Sequence, residues 1–191
     1  MRRIILIFII VIAAVLSASA AEDITEVTPD RLGPAIGVSS TPFSFGYRYS
    51  MARHQSFDFM LHIPEYINQE NYGAGIELGF GLGYNIPLRI EENIAFVVKP
   101  QLDFAYAFQS ADDQDTKRKV FSLYPGAFAG LEIFLEEVGV PDVNIAIGFS
   151  TGMEYSNTTV ETGETESSSS SFRLPMNRAP YGATVALWWY F

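Results

Sequence analysis

From position 72 to position 88 every even-numbered residue is apolar: Tyr72, Ala74, Ile76, Leu78, Phe80, Leu82, Tyr84, Ile86 and Leu88. The odd positions between them hold Gly73, Gly75, Glu77, Gly79, Gly81, Gly83, Asn85 and Pro87. A period of two places these sets on opposite faces of an extended strand, which a helical repeat of 3.6 does not. The pattern returns in 94–109, 121–135 and 143–155, and in shorter form in 43–50, 56–63 and 181–191. A weaker candidate covers 32–39. The connections PEYINQEN, RIEEN, SADDQDTKRK and EEVGVPD are polar and turn-like. NTTVETGETESSSSSFRLPMNRAP, with its serine run Ser167–Ser171, reads as a flexible loop. The expectation is an all-β chain of about eight antiparallel strands running up and down. A rival assignment merges 32–50 into one strand and adds another at 169–176.

Alternation leaves open which face meets water. A soluble barrel or sandwich turns its apolar face inward, and a membrane barrel turns it outward. Here the second face is mostly Gly, Ala and Ser with isolated charges, which suits the narrow interior of an eight-strand closure. Aromatic residues of the apolar face gather near strand ends at Tyr72, Tyr84, Phe104, Tyr106, Phe108, Tyr155 and Trp189, where interfacial girdles lie. The strands also exceed the ~9–11 residues that cross a bilayer. The apolar face is therefore expected to meet lipid. Pro100 and Pro125 fall within adjacent strands at similar depth, where each removes a ladder donor and weakens one rung.

The N-terminus supports export. Arg2 and Arg3 precede an apolar run from Ile4 to Leu16, and Ala18-Ser19-Ala20 gives a cleavage site. The expected organisation is a signal peptide at 1–20, a lead-in at 21–31 and an outer-membrane barrel at 32–191. Removing Arg2 and Arg3 from the 12 Lys and Arg leaves ten against 22 Asp and Glu, a net charge of −12. So acidic a chain lacks the basic footprint of a nucleic-acid binder. With no cysteine there is no disulfide framework and no thiol metal site. No cofactor and no metal site is expected.

The last stretch, YGATVALWWYF, puts Tyr181, Ala183, Val185, Leu187, Trp189 and Phe191 on one apolar face and ends on an aromatic residue. With the alternation and the size, it resembles the small bacterial outer-membrane β-barrels of the OmpX, OmpA transmembrane-domain and OmpW class. The resemblance covers the mature chain and is specific for the class rather than for one family. It implies that Tyr181, Val185, Leu187, Trp189 and Phe191 form the assembly signal. It also implies periplasmic termini, short periplasmic turns at PLRIEEN and EEVGVPD, and long loops outside. The partners implied are outer-membrane lipids, the barrel-assembly machinery and periplasmic chaperones, around a monomer.

The inward charges are Arg48, Asp58, Glu77, Lys99, Asp103, Glu132 and Glu154. An unpaired charge in a narrow lumen is costly, so Arg48 and Lys99 each require a carboxylate from this set. A structural polar plug is the favoured reading, with a gated conduit as the alternative. The glycine row at 73–83 is read as space filled by inward Tyr124, Phe128, Phe134, Trp188 and Tyr190, or else as a slot for an acyl chain. His62 is an inward imidazole expected to be hydrogen-bonded in the lumen. His54-x-Ser56 with Glu65 resembles the arrangement in the lipid A deacylases, another eight-stranded family. It departs from them in having Phe57-Asp58 where they carry Asn-Ala, and in lying early in the chain at a periplasmic turn. It is read as chance. The function expected is a non-enzymatic outer-membrane barrel with external loops for surface interaction or envelope integrity. A solute conduit, a lipid hydrolase and a soluble lipocalin-like binder are the alternatives.

Overall fold

The computed structural model describes residues 33–40, 42–51, 55–70, 72–91, 93–111, 116–140, 142–174 and 182–191. Ten strand segments follow one another: β1 (Gly33–Ser40), β2 (Phe43–Ser50), β3 (Ser56–Gln69), β4 (Gly73–Glu91), β5 (Ile94–Ala111), β6 (Thr116–Phe134), β7 (Val143–Gly152), β8 (Glu154–Thr162), β9 (Thr165–Arg173) and β10 (Gly182–Tyr190). One 3-10 turn, Glu136–Val138, precedes β7. Each strand from β1 to β6 pairs antiparallel with its successor, β7 pairs with β10, and β10 returns to β1. The sheet therefore closes on itself.

Ten segments make eight staves. β7 and β8 are one stave, because both pair with β6 in unbroken register from Phe134–Asn144 to Thr116–Thr162. Pro125 causes the interruption. Its carbonyl accepts the Met153 amide at 2.9 Å, but it has no N–H to return. β10 and β9 flank the other side of that stave, β10 against β7 and β9 against β8. The result is the closed, antiparallel, up-and-down eight-strand barrel that the alternation predicts.

Several boundaries differ from the sequence reading. The serine-rich stretch is a hairpin rather than a loop, with β8 paired to β9 from Glu154–Arg173 to Thr162–Thr165. Thr158, Thr159 and Val160 carry strand preference, and the ladder extends it to the serines opposite. Gly163, at φ 57°, supplies the left-handed turn position. The rival merging of 32–50 fails, since β1 and β2 pair antiparallel from Gly33–Ser50 to Ser40–Phe43. β3 continues to Gln69 through a register shift between His62 and Glu65, where Pro64 sits. β4 likewise runs on to Glu91 past a shift between Pro87 and Arg89.

The apolar faces point away from the barrel axis. Phe45, Leu61, Phe80, Leu82, Ile147, Val185 and Leu187 are all exposed, whereas Ala35, Val97, Phe128, Ala146 and Trp188 are buried inside. Ile86 departs from its stripe and is fully buried. The staves are unequal. β4, β5 and β6 have 19, 18 and 19 residues, while β1 and β2 have eight each. β3 loses β2 as a neighbour beyond His62. A tall wall from β3 to β9 thus rises past the β1–β2 turn, with β9 at one margin of the sheet.

Candidate functional site

Inward positions are fixed by strand parity, and the register decides which of them meet. Arg48 on β2 donates to Asp58 on the adjacent β3 through two bonds, Nε to Oδ1 at 2.7 Å and Nη2 to Oδ2 at 3.0 Å. Its Nη1 donates across the lumen to Glu132 on β6. β2 and β6 are four staves apart in a ring of eight, so this contact spans the diameter. Lys99 Nζ on β5 donates to Asp58 Oδ2 at 3.2 Å. Asn85 and Asn144 donate their amides to the two oxygens of Glu132, at 3.1 and 3.2 Å. Asn144 and Arg48 both donate to the Tyr190 hydroxyl, at 3.3 and 3.4 Å. Two cations, two carboxylates and their polar neighbours therefore satisfy one another in the barrel interior, the condition under which buried charge is tolerated.

Aromatic rings complete this layer. The Arg48 guanidinium carbon lies 4.2 Å from the Trp188 ring centroid, and Lys99 Nζ lies 5.3 Å from that of Phe128. Trp188 is 1 % exposed and Phe128 3 %. Small residues admit these rings. A Cβ on Gly37 would stand 2.6 Å from the Trp188 ring, and one on Gly148 2.6 Å from that of Phe128.

The other inward carboxylates lie elsewhere. Asp103 contacts His62 Nε2 at 3.2 Å and accepts from Gln101 at 3.3 Å. Glu77 sits within electrostatic reach of Glu65, His62 and Glu154, toward the tall end of the barrel. The seven inward charges thus separate into a central cluster of Arg48, Asp58, Lys99 and Glu132 and an outer group of Asp103, Glu77 and Glu154. Higher still, Arg118 donates to Gln69 and Gln109, at 2.9 and 2.7 Å, and covers the Tyr72 ring at 4.9 Å.

The side chains nearest the glycine row are polar, whereas the Phe128 and Trp188 rings pack at Gly130, Gly148, Gly37 and Gly46. A Cβ on Gly79 would meet His62, one on Gly81 Asp103, and one on Gly83 Lys99. Pockets lie on either side of the central cluster among the described residues. One of about 60 Å³ lies at the tall end among Pro42, His62, Ile63, Glu65, Glu77, Gly79, Ala105 and Tyr124. Another of about 10 Å³ lies at the termini end beside Arg48, Glu132, Phe134 and Tyr190. The central cluster stands between them. Both are sized for water rather than for a solute.

Ser56 is buried at the start of β3, whereas Glu65 is exposed nine residues along the same strand. That separation is roughly 30 Å of strand, too far for one to orient a base for the other. His54 lies outside the described residues, as do the proposed signal peptide and Tyr181. Of the proposed assembly signal, Val185, Leu187, Trp189 and Phe191 are exposed on the outer face of β10 and the residue after it. No group of His, Asp or Glu among the described residues has a metal-binding arrangement.

No family model matches the chain, and no characterised protein or solved structure matches it significantly. Parity places Asn85, Asn144 and Tyr190 inside, and reads Tyr190 only as filler. The meeting of the two asparagines at Glu132, and of Arg48 and Asn144 at Tyr190, depends on shear, which alternation does not encode.

Proposed function

We propose that the chain is an integral outer-membrane β-barrel with a plugged lumen, acting through its external wall in surface interaction or envelope integrity, and without enzymatic activity. One observation carries this reading: side chains of opposite polarity are sorted in reverse of a soluble protein. Phe45, Leu61, Phe80, Ile147 and Leu187 lie outside, and Arg48, Asp58, Glu132 and Asn144 lie inside. An outward apolar belt of this extent is costly in water and favourable in hydrocarbon. The central cluster, held across the diameter, fits a plug better than a pore. The affinity to the OmpX, OmpA-domain and OmpW class, export through the N-terminal segment, and recognition of the Phe191 end by the assembly machinery belong to the same proposal.

Fractionation with and without detergent tests membrane residence. The protein is expected in the outer-membrane fraction, released by detergent only, and to migrate differently on gels before and after boiling. Release without detergent would overturn the reading. Planar-bilayer recording tests the plug, which predicts no resolved channel events for the unaltered chain.

A further inference from the structure

The run Lys117-Arg118-Lys119 contains three of the ten basic residues that follow the proposed signal peptide. It lies within β6, so alternation sends its members to opposite faces. Arg118 points inward to its glutamine clasp. Lys117 and Lys119 point outward, on the face that carries Phe121 two residues further along. Beside them on β5 stand Ser110, opposite Lys117, and Phe108, opposite Lys119. Tyr106, Phe108 and Phe121 are exposed. The lysines therefore occupy the rung where the outer face changes from aromatic to polar. The inward set contains Arg48, Lys99 and Arg118, and Arg173, exposed at the end of β9, stands opposite the inward Glu154. Lys117 and Lys119 are thus the cations on the outward face of the tall wall among the residues whose side chains are described.

We infer that Lys117 and Lys119 form a seat for the phosphate of an outer-leaflet glycolipid, whose acyl chains would lie along Tyr106, Phe108 and Phe121. This rests on the outer-membrane reading. The lipid, rather than free phosphate, is favoured because the cations continue an apolar belt: long lysine stems lie on the hydrocarbon side and carry their ammonium groups to the headgroup level. Lys119 is held at the correct height by Glu161 of β8, its Nζ donating to Oε1 at 2.6 Å. Glu161 also stands opposite Lys117 and Glu166 in the ladders on its two sides. Glu161 is thus both positioner and competitor. A phosphate approaching this rung shares Lys119 with it and takes Lys117, which is exposed.

The test is retention of lipid A by the detergent-solubilised full chain, read by native mass spectrometry. Three probes are compared: bisphosphorylated lipid A, the same lipid dephosphorylated, and inorganic phosphate as competitor. The inference expects the phosphorylated lipid to be preferred. It expects Lys117→Gln/Lys119→Gln to lose at least about fivefold of that preference, the effect of roughly one lysine near an anionic surface. Lys117→Arg/Lys119→Arg retains it, and Glu161→Gln increases retention by freeing Lys119. If Lys119 serves Glu161 alone, Glu161→Gln and the lysine variants behave alike, and the inference fails. Equal retention of both lipids, or displacement by millimolar inorganic phosphate, also overturns it. A chain that enters no bilayer refutes the outer-membrane reading instead. Gel mobility before and after boiling verifies that each variant folds, and the arginine and Glu161→Gln variants keep the test decisive should the double glutamine variant not fold.

Discussion

Arg48 is the side chain whose loss should be felt most. It is buried, with Asp58 on one side, Glu132 on the other and the Trp188 ring beneath its plane. Arg48→Ala leaves two buried carboxylates short of a cation and is expected to destabilise the barrel by about 3–5 kcal/mol. Urea unfolding in detergent micelles measures this. Arg48→Lys should recover little, since an ammonium group cannot make the two-pronged bond to Asp58. A smaller effect follows from Gly37→Ala, whose Cβ would stand 2.4 Å from the Leu187 carbonyl oxygen. Backbone cannot rotate away, so about 1–3 kcal/mol is expected in the same assay. At the outer rim, hydrogen bonding to Lys119 holds the Glu161 carboxyl below its ordinary range, and the same bond raises Lys119. The lowered carboxyl contributes stability above its ordinary value and loses it as pH falls through the depressed one. The raised amine contributes below its ordinary value and loses it as pH rises through the elevated one. Lys117, Glu166 and Tyr106 are the titratable neighbours of the pair. Protection factors of the β8 and β9 amides, corrected for the intrinsic pH dependence of exchange, should therefore be highest through the neutral range and fall at both acidic and strongly alkaline pH.

The β8–β9 hairpin is an addition to the closed ring rather than part of its closure. β7 pairs with β6 and β10 below Met153, and β8 and β9 continue the wall above it. Replacing residues 156–171 with a short turn should leave a folded barrel whose mobility still changes on boiling. Loss of that change would mean that the hairpin organises the ring. This hairpin is also where sequence reasoning failed, for a physical reason. Ser167–Ser171 has neither an apolar face nor strong strand preference, so the serine run does not announce β9, of which the rival strand at 169–176 overlaps only the second half. Its order comes from β8, whose own order comes from β6. By contrast, β4 and β5 were legible over most of their length, since each separates an outward apolar face from a packed one, and they overrun their expected ends by only a few residues. Pro125 was legible as a disturbance but not in form, since it became a missing donor within an otherwise continuous stave. Pro100 sits in an unbroken ladder with β6, whereas Pro64 and Pro87, which the alternation passed over, lie at register shifts.

For the molecule entire, the sorting of polarity is the decisive property. Phe80 is exposed and stacks on Phe104 at 4.6 Å, so Phe80→Lys places a charge in the middle of the outward belt. If hydrocarbon lies there, the cost is about 2–4 kcal/mol, and assembly into liposomes should fall while solubility rises. Were that face wet, the same change would be nearly neutral. The charge pairs inside could not be read with equal assurance. Arg48 and Glu132 are 84 residues apart, and only the stagger of eight staves brings them together. The staves also differ in how firmly they grip one another. β5 and β6 are laddered from Ile94–Ile133 to Ala111–Thr116, whereas β1 and β10 meet only from Ala35–Tyr190 to Ser39–Ala186. The cylinder therefore has a short zip, placed where the first stave meets the last. Strained from within, or opened to admit a neighbour, it would part there first; built from a curling ribbon, it would latch there last.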